Sequence, residues 1–183
     1  MRNPLAATRL AWHHRWVIAV PAAPDSLTQL SWEADEYVLG RIDSSRLPMI
    51  AAQALARGTD SPALRELAGL GRAEVREARD LFVIAMAELG QPLREPEVVL
   101  WHRASQAAQG LLDGIRDAGD AIGEIAWLLC NADGQHGELA TDFEMLLIDW
   151  DESPAGRAGI AKDSEQACRR LLDVAKTIGT QPV

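Results

Sequence analysis

Apolar residues recur every three to four positions along most of the chain. In segment 75–89, for example, Val75, Ala78, Phe82 and Leu89 belong to one stripe. This spacing is typical of an α-helix that turns one face towards a core. Alternation with a period of two is nearly absent, and no Asn-Gly hairpin turn occurs. The pattern therefore predicts an all-α protein.

Capping residues, prolines and glycines divide this pattern into about seven or eight helices. Ser61-Pro62 is the clearest start, because a capping side chain is followed by a first-turn proline. Gly58 and Gly90 mark clear ends. Further starts are predicted at Ser44 or Ser45, near Pro96 and at Asp117. Ser26 is the predicted cap of the first helix, and Asp151 or Ser153 is the predicted cap of the last. Because the connections are short, we expect an antiparallel, bundle-like array.

The length of 183 residues fits one domain. Pro21 and Pro24 separate the first residues from the first predicted helix. We therefore expect residues 1–24 to form a loosely packed N-terminal arm and residues 25–179 to form a single helical domain.

Several classes of protein are not favoured by the sequence. No apolar run approaches the roughly 18 residues of a membrane span, and residues 17–20 are too short for a signal-peptide core. Cys130 and Cys168 form neither a disulfide framework nor a metal-ligand spacing. Cys168 lies on an apolar helix face, so we expect a buried thiol. These features favour a cytoplasmic protein without a metal or a cofactor and without a membrane partner.

Charge is distributed unevenly along the chain. The net charge is −9, and residues 110–152 contain eleven acidic residues and a single basic one, Arg116. Such a surface repels phosphate backbones and attracts cations, which argues against nucleic acid as a partner. The segment 61–89 has helix-turn-helix spacing, but its second helix mixes acids with arginines and lacks the basic excess of a DNA reader.

Two groups of residues in the acidic segment are candidates for binding. Asp120, Glu124 and Trp127 share one face of the helix that starts at Asp117, an arrangement suited to a cation, an amine or an arginine-bearing partner. The alternative is that Asp117 and Asp120 stabilise the helix start, by about 0.3–1 kcal/mol each, while Glu124 is solvated.

The second group is the segment Asp149-Trp150-Asp151-Glu152-Ser153-Pro154, preceded by Asp142 on the same helix. Asp149 lies at a helix C-terminus, where a negative charge is unfavourable. A residue placed against its local preference indicates either a functional role or an arginine partner elsewhere in the fold.

Catalytic signatures are missing from the sequence. There is no G-x-S-x-G, no H-E-x-x-H and no P-loop, so whether the protein is an enzyme stays open.

Three segments resemble a group of small, uncharacterised helical proteins of actinobacteria. They are Leu47-Pro48 with Ala51 and Leu55, residues 60–69, and residues 149–154. The resemblance extends over residues 30–175. It implies a helical fold and no particular activity.

Two hypotheses follow. The favoured one is a non-enzymatic interaction module, an adaptor or an immunity-type protein, that presents an acidic surface to a basic protein or a cationic ligand. The alternative is a small helical enzyme or ligand-binding protein with a pocket walled by Trp101, Trp127 or Trp150, in which Glu124, Asp142 or Asp149 supplies carboxylates. The candidate binding residues are Asp120, Glu124, Trp127, Asp142, Asp149 and Trp150. An exposed patch favours the first hypothesis, and a concave pocket with inward carboxylates favours the second.

Overall fold

The computed structural model describes residues 25–132 and 137–179 and contains eight α-helices within them. The helices are α1 (Ser26–Val38), α2 (Leu47–Ala56), α3 (Pro62–Gly69), α4 (Val75–Glu88), α5 (Pro96–Leu112), α6 (Ala118–Cys130), α7 (Gly137–Glu152) and α8 (Arg157–Gly179). Short 3-10 turns at Ser44–Arg46 and Pro154–Gly156 precede α2 and α8. No strand occurs in these ranges, so the all-α prediction is confirmed; the predicted arm, residues 1–24, lies outside them.

Most helix starts follow from local hydrogen bonding. The hydroxyl of Ser61 accepts a hydrogen bond from the amide of Leu64 at 3.2 Å, which confirms the predicted cap of α3. Asp117 caps α6 as predicted, accepting from the amide of Gly119 at 2.8 Å. These bonds satisfy amides that the first helical turn leaves without a partner.

Two predicted caps are wrong. Asp25, rather than Ser26, caps α1, because its carboxylate accepts from the amide of Thr28 at 2.7 Å. Ser153 makes no capping hydrogen bond, and Asp151 lies inside α7. The reason is that Pro154 starts a separate 3-10 turn, which delays the start of α8 to Arg157.

The core consists of two clusters, one in each half of the chain. The first lies among α1 to α4 and contains Leu30, Leu47, Leu64, Phe82 and Met86. The second lies among α5 to α8 and contains Trp101, Ile122, Ile125, Phe143 and Leu171. Each half thus buries its own set of large apolar side chains, the dominant favourable contribution to folding.

The second half is a four-helix bundle. Helices α5, α6, α7 and α8 pack consecutively, and α8 returns against α5. Because the connections are short, neighbouring helices run antiparallel. The end of α5, the start of α6, the end of α7 and the start of α8 therefore meet at one end of the bundle. There Gly119 contacts the Trp150 ring, and Arg157 donates to the Trp150 carbonyl at 3.2 Å.

The buried face of α5 differs from the predicted one. The apolar spacing of Val98 and Trp101 predicts that both are buried, but Val98 is exposed. Val99, Leu100 and Arg103 are buried instead, together with Trp101. The cause is that α5 packs against α1 of the first half as well as against α6 and α8. None of the helices described is both long and apolar enough to cross a membrane.

Candidate functional site

Five charged side chains lie where the two halves meet, and we call Glu36, Arg41, Arg103, Arg116 and Glu124 the central charge cluster. Arg103 of α5 has only 4% of its side chain exposed. Its Nη2 lies 3.2 Å from Oε1 of Glu36 in α1 and 3.3 Å from Oε1 of Glu124 in α6. One guanidinium therefore links three helices, and an arginine suits this place because its planar group offers several donors.

The two outer arginines come from turns with the same backbone geometry. Gly40 and Gly114 adopt left-handed conformations, with φ of 70° and 68°, directly after α1 and near the end of α5. Arg41 follows the first, and its Nη1 lies 3.3 Å from Oε1 of Glu36. Arg116 lies two residues after Gly114 and donates to Oε2 of Glu124. The turns thus direct both guanidinium groups to the buried carboxylates.

Two tryptophans cover the cluster. The guanidinium carbon of Arg41 lies 3.8 Å from the ring centroid of Trp127, and that of Arg103 lies 5.1 Å from the ring centroid of Trp32. Both distances fall within the range of cation–π attraction. The predicted combination of Glu124 and Trp127 does hold cations, but they are arginines of the protein itself.

Glu124 therefore does not belong to an exposed binding surface. Only 7% of its side chain is exposed, and Arg103 and Arg116 occupy its carboxylate. The expectation that Glu124 is part of an exposed acidic surface is therefore wrong. The reason is that α6 is buried on nearly all sides, Ala121, Gly123 and Leu128 included. Arg103 and Arg116 cover the Glu124 carboxylate, and Arg41 of the first half covers Trp127.

A cleft of about 290 Å³ opens next to the central charge cluster, between α1 and α2. One wall is formed by Trp32, Glu33 and Glu36 of α1, and the opposite wall includes Arg46 and Met49. Helices α1 and α2 form a helical hairpin. At its end away from the α1–α2 turn, the hydroxyls of Ser26 and Thr59 are hydrogen bonded at 2.5 Å. The cleft thus lies in the half of the hairpin nearer the α1–α2 turn.

The carboxylates of Glu33 and Glu36, which line the cleft, lie in surroundings that disfavour their charged forms. Burial raises the pKa of Glu33 and of Glu36, and neighbouring arginines, chiefly Arg57 and Arg41, offset part of this effect. Oε2 of Glu33 is buried and accepts no hydrogen bond, and its nearest cation, Nη2 of Arg57, is 3.7 Å away. Raised pKa values in a cleft are a common feature of ligand sites.

The remaining predicted residues lie in two places. Asp142 pairs with Arg170 at 3.1 Å on the outside of α7 and α8, both side chains being partly exposed. Asp120 and Asp149 are exposed at the end of the bundle where Gly119 contacts Trp150, and the Arg157 guanidinium lies 5.1 Å from the Trp150 ring. No ion pair of Asp149 is present in the described ranges.

The six predicted residues thus do not form one site. Sequence reasoning missed Glu33, Glu36, Arg41 and Arg103, which look like ordinary solvent-facing charges of amphipathic helices. Only Glu33 carries a usable signal, because it lies beside the apolar stripe of Leu30 and Ala34, whereas Glu36 lies nearly opposite this stripe.

The cysteines have no visible catalytic environment. Burial raises the pKa of Cys168 to about 12, in agreement with the predicted buried thiol. Cys130 donates to Oε1 of Glu144 at 2.9 Å. Over residues 25–132 and 137–179, no group of three or more histidine, cysteine or carboxylate side chains is arranged to hold a metal ion.

Comparison with protein-family models, curated proteins and solved structures found no significant match. The fold and the central charge cluster define the protein as an all-α helical array with a buried ionic junction between two halves. The resemblance to small actinobacterial helical proteins stays a prediction.

Proposed function

We propose that the protein is an interaction module that binds a basic partner through one end of its C-terminal bundle. We call this end the acidic end. Its exposed residues include Asp113, Ile115, Asp120, Asp149, Asp151 and Glu152, together with one cation, Arg157, next to the Trp150 ring. Carboxylates at this density attract a cationic partner and accelerate its association.

The observation that carries the proposal is the exposure of apolar side chains among these carboxylates. Ile115, at the tip of the α5–α6 turn, is 79% exposed. On α7, Met145 and Ile148 are also exposed, one helical turn before Asp149 and Glu152. A surface that combines apolar and acidic groups suits a partner with both basic and apolar side chains, since such patches mark interaction sites.

Part of the acidic segment is excluded from this surface. Glu124 is buried in the central charge cluster, Asp142 is paired with Arg170, and Asp117 caps α6. The proposal therefore concerns fewer residues than the charge of the segment 110–152 indicates.

The test is a double variant, Asp120→Asn with Asp149→Asn, which keeps shape and removes two charges. Binding of a fluorescein-labelled peptide with alternating lysine and leucine residues is measured by anisotropy at several salt concentrations. We expect weaker binding and a shallower salt dependence, because exposed charges act through screened electrostatics. Thermal stability should hardly change, since one favourable and one unfavourable helix-dipole interaction, each worth about 0.3–1 kcal/mol, are both removed.

The matched control is Glu77→Gln with Asp80→Asn, two exposed carboxylates of α4 in the other half. This control should leave the affinity for the peptide and its salt dependence close to those of the wild type. Equal losses in both double variants would mean that only net charge matters, and the acidic end would then have no specific role.

A further inference from the structure

The cleft between α1 and α2 has properties of a ligand site that the acidic end does not explain. Its volume of about 290 Å³ suits a small molecule and is too small for a peptide segment. It lies in the N-terminal half, and its lining comes from α1, the α1–α2 turn and α2.

The cleft has charges of both signs with unused hydrogen-bonding capacity. On the α1 wall, Oε2 of Glu33 is buried and accepts no hydrogen bond. Its distant partner Arg57 has 31% of its side chain exposed, so Arg57 can turn to solvent when a closer donor arrives. On the opposite wall Arg46 is exposed; it forms no close ion pair with another described residue, but its charge attracts the Glu33 carboxylate across the cleft.

Two further charged residues of the cleft, Glu36 and Arg41, already have partners within the protein. Glu36 is bound by Arg41 and Arg103, and Arg41 also stacks on Trp127. Glu36 and Arg41 also line the cleft, but their charges are already paired within the central charge cluster. A ligand in the cleft would meet the Glu33 side chain, which is 12% exposed, on one wall and the exposed Arg46 guanidinium on the other.

Apolar groups share the lining of the cleft with Glu33 and Arg46. Ile42 and Ile50 line the cleft, and Met49 lines it with 55% of its surface exposed. The Trp32 ring belongs to the α1 wall. Aliphatic and aromatic surfaces of this kind lose contact with water when an apolar ligand group covers them, which favours binding.

We propose that this cleft binds a small zwitterion of the α-amino-acid type with an apolar side chain. Its ammonium group donates to Glu33, its carboxylate accepts from Arg46, and its side chain packs against Met49 and Ile50. A purely cationic ligand would leave the Arg46 charge facing it, and a purely anionic ligand would face the Glu33 carboxylate. Only a ligand with both charges matches both walls.

Three probes of equal apolar size separate these possibilities. Leucine carries both charges, isoamylamine lacks the carboxylate, and isocaproate lacks the amine. Each is titrated into the full chain, and the backbone amide signals are followed by two-dimensional nitrogen–proton NMR. We expect leucine to give saturable shifts around the cleft and both analogues to bind about ten-fold more weakly or worse.

Variants then assign the two charges. Glu33→Gln and Arg46→Gln should each weaken leucine binding about ten-fold, and Met49→Trp should block the cleft mouth without touching either charge. The matched controls are Glu66→Gln and Arg72→Gln, an exposed carboxylate and an exposed guanidinium outside the cleft, which should leave binding unchanged. Melting curves confirm that each variant is folded.

Two results would overturn the proposal. One is equal affinity for leucine and for an analogue that lacks one of its charges. The other is the absence of saturable shifts at leucine concentrations up to about 20 mM, where even a millimolar site is largely filled. Neither result depends on whether the acidic end binds a basic partner, because the two sites lie in different halves of the chain.

Discussion

Glu124→Gln should destabilise the protein strongly, although the substitution keeps the shape of the side chain. The carboxylate is 7% exposed and is shared by Arg103 and Arg116. Without its charge, Arg103 keeps only Glu36, while the cluster still holds three guanidinium groups. Removing one partner of a buried ion pair costs about 3–5 kcal/mol.

Two features of the structure place the expected loss at the lower end of that range. The Arg116 side chain is 26% exposed and can turn towards water, and the glutamine oxygen can still accept one hydrogen bond. We therefore expect a loss of about 3 kcal/mol, a large part of the stability of about 5–15 kcal/mol that is usual for a folded domain.

Urea unfolding followed by far-UV circular dichroism measures this loss as a lower transition midpoint at an unchanged slope. Glu165→Gln is the comparison, because the pair of Glu165 with Arg169 is exposed and should contribute no more than about 0.5 kcal/mol. A loss below about 1 kcal/mol for Glu124→Gln would refute the reasoning, since the cluster would then behave like a surface ion pair.

Three further predictions concern packing, pH and thiol reactivity. Gly119→Ala should destabilise by about 1–3 kcal/mol in thermal unfolding, because its Cβ would lie 2.8 Å from Cε2 of Trp150; a gain in melting temperature would contradict the close contact. Burial raises the pKa of Glu33 above its ordinary value of 4.5, so the folded protein favours the protonated carboxyl group. The free energy of unfolding therefore decreases as pH rises from 4.5 through the raised pKa. Glu33→Gln should flatten this decrease in urea midpoints measured from pH 4.5 towards neutrality, and an unchanged slope would argue against it. Because burial raises the pKa of Cys168 to about 12, a chromogenic disulfide reagent should modify Cys130 first, and rapid reaction of both thiols would contradict the burial.

The architecture was predictable because it follows from local rules. The spacing of Val75, Ala78 and Phe82 and the caps at Ser61 and Asp117 depend on residues at most a few positions apart. Such features have the same meaning in every helical protein. The predictions failed at Ser153, where a proline starts a competing 3-10 turn, and at Val98, where contact with a distant helix changes the buried face.

The candidate sites were predictable only in part. Asp120 and Asp149 were selected from the charge pattern, and both are exposed at the acidic end. The environment of Glu124 could not be read from the sequence, because its partner Arg103 lies 21 positions away on another helix. The α1–α2 cleft was missed because its walls are formed by residues of two different helices and of the turn between them.

The sequence by itself determined the helices, most of their ends and the excess of negative charge in the second half. Only the tertiary structure decided which charges are buried. Glu36, Arg103 and Glu124 look like solvated residues along their own helices, and they become a buried junction only when α1, α5 and α6 converge. The physical reason is that helical periodicity is set within one turn, whereas the burial and pairing of a charge depend on side chains that different helices bring together.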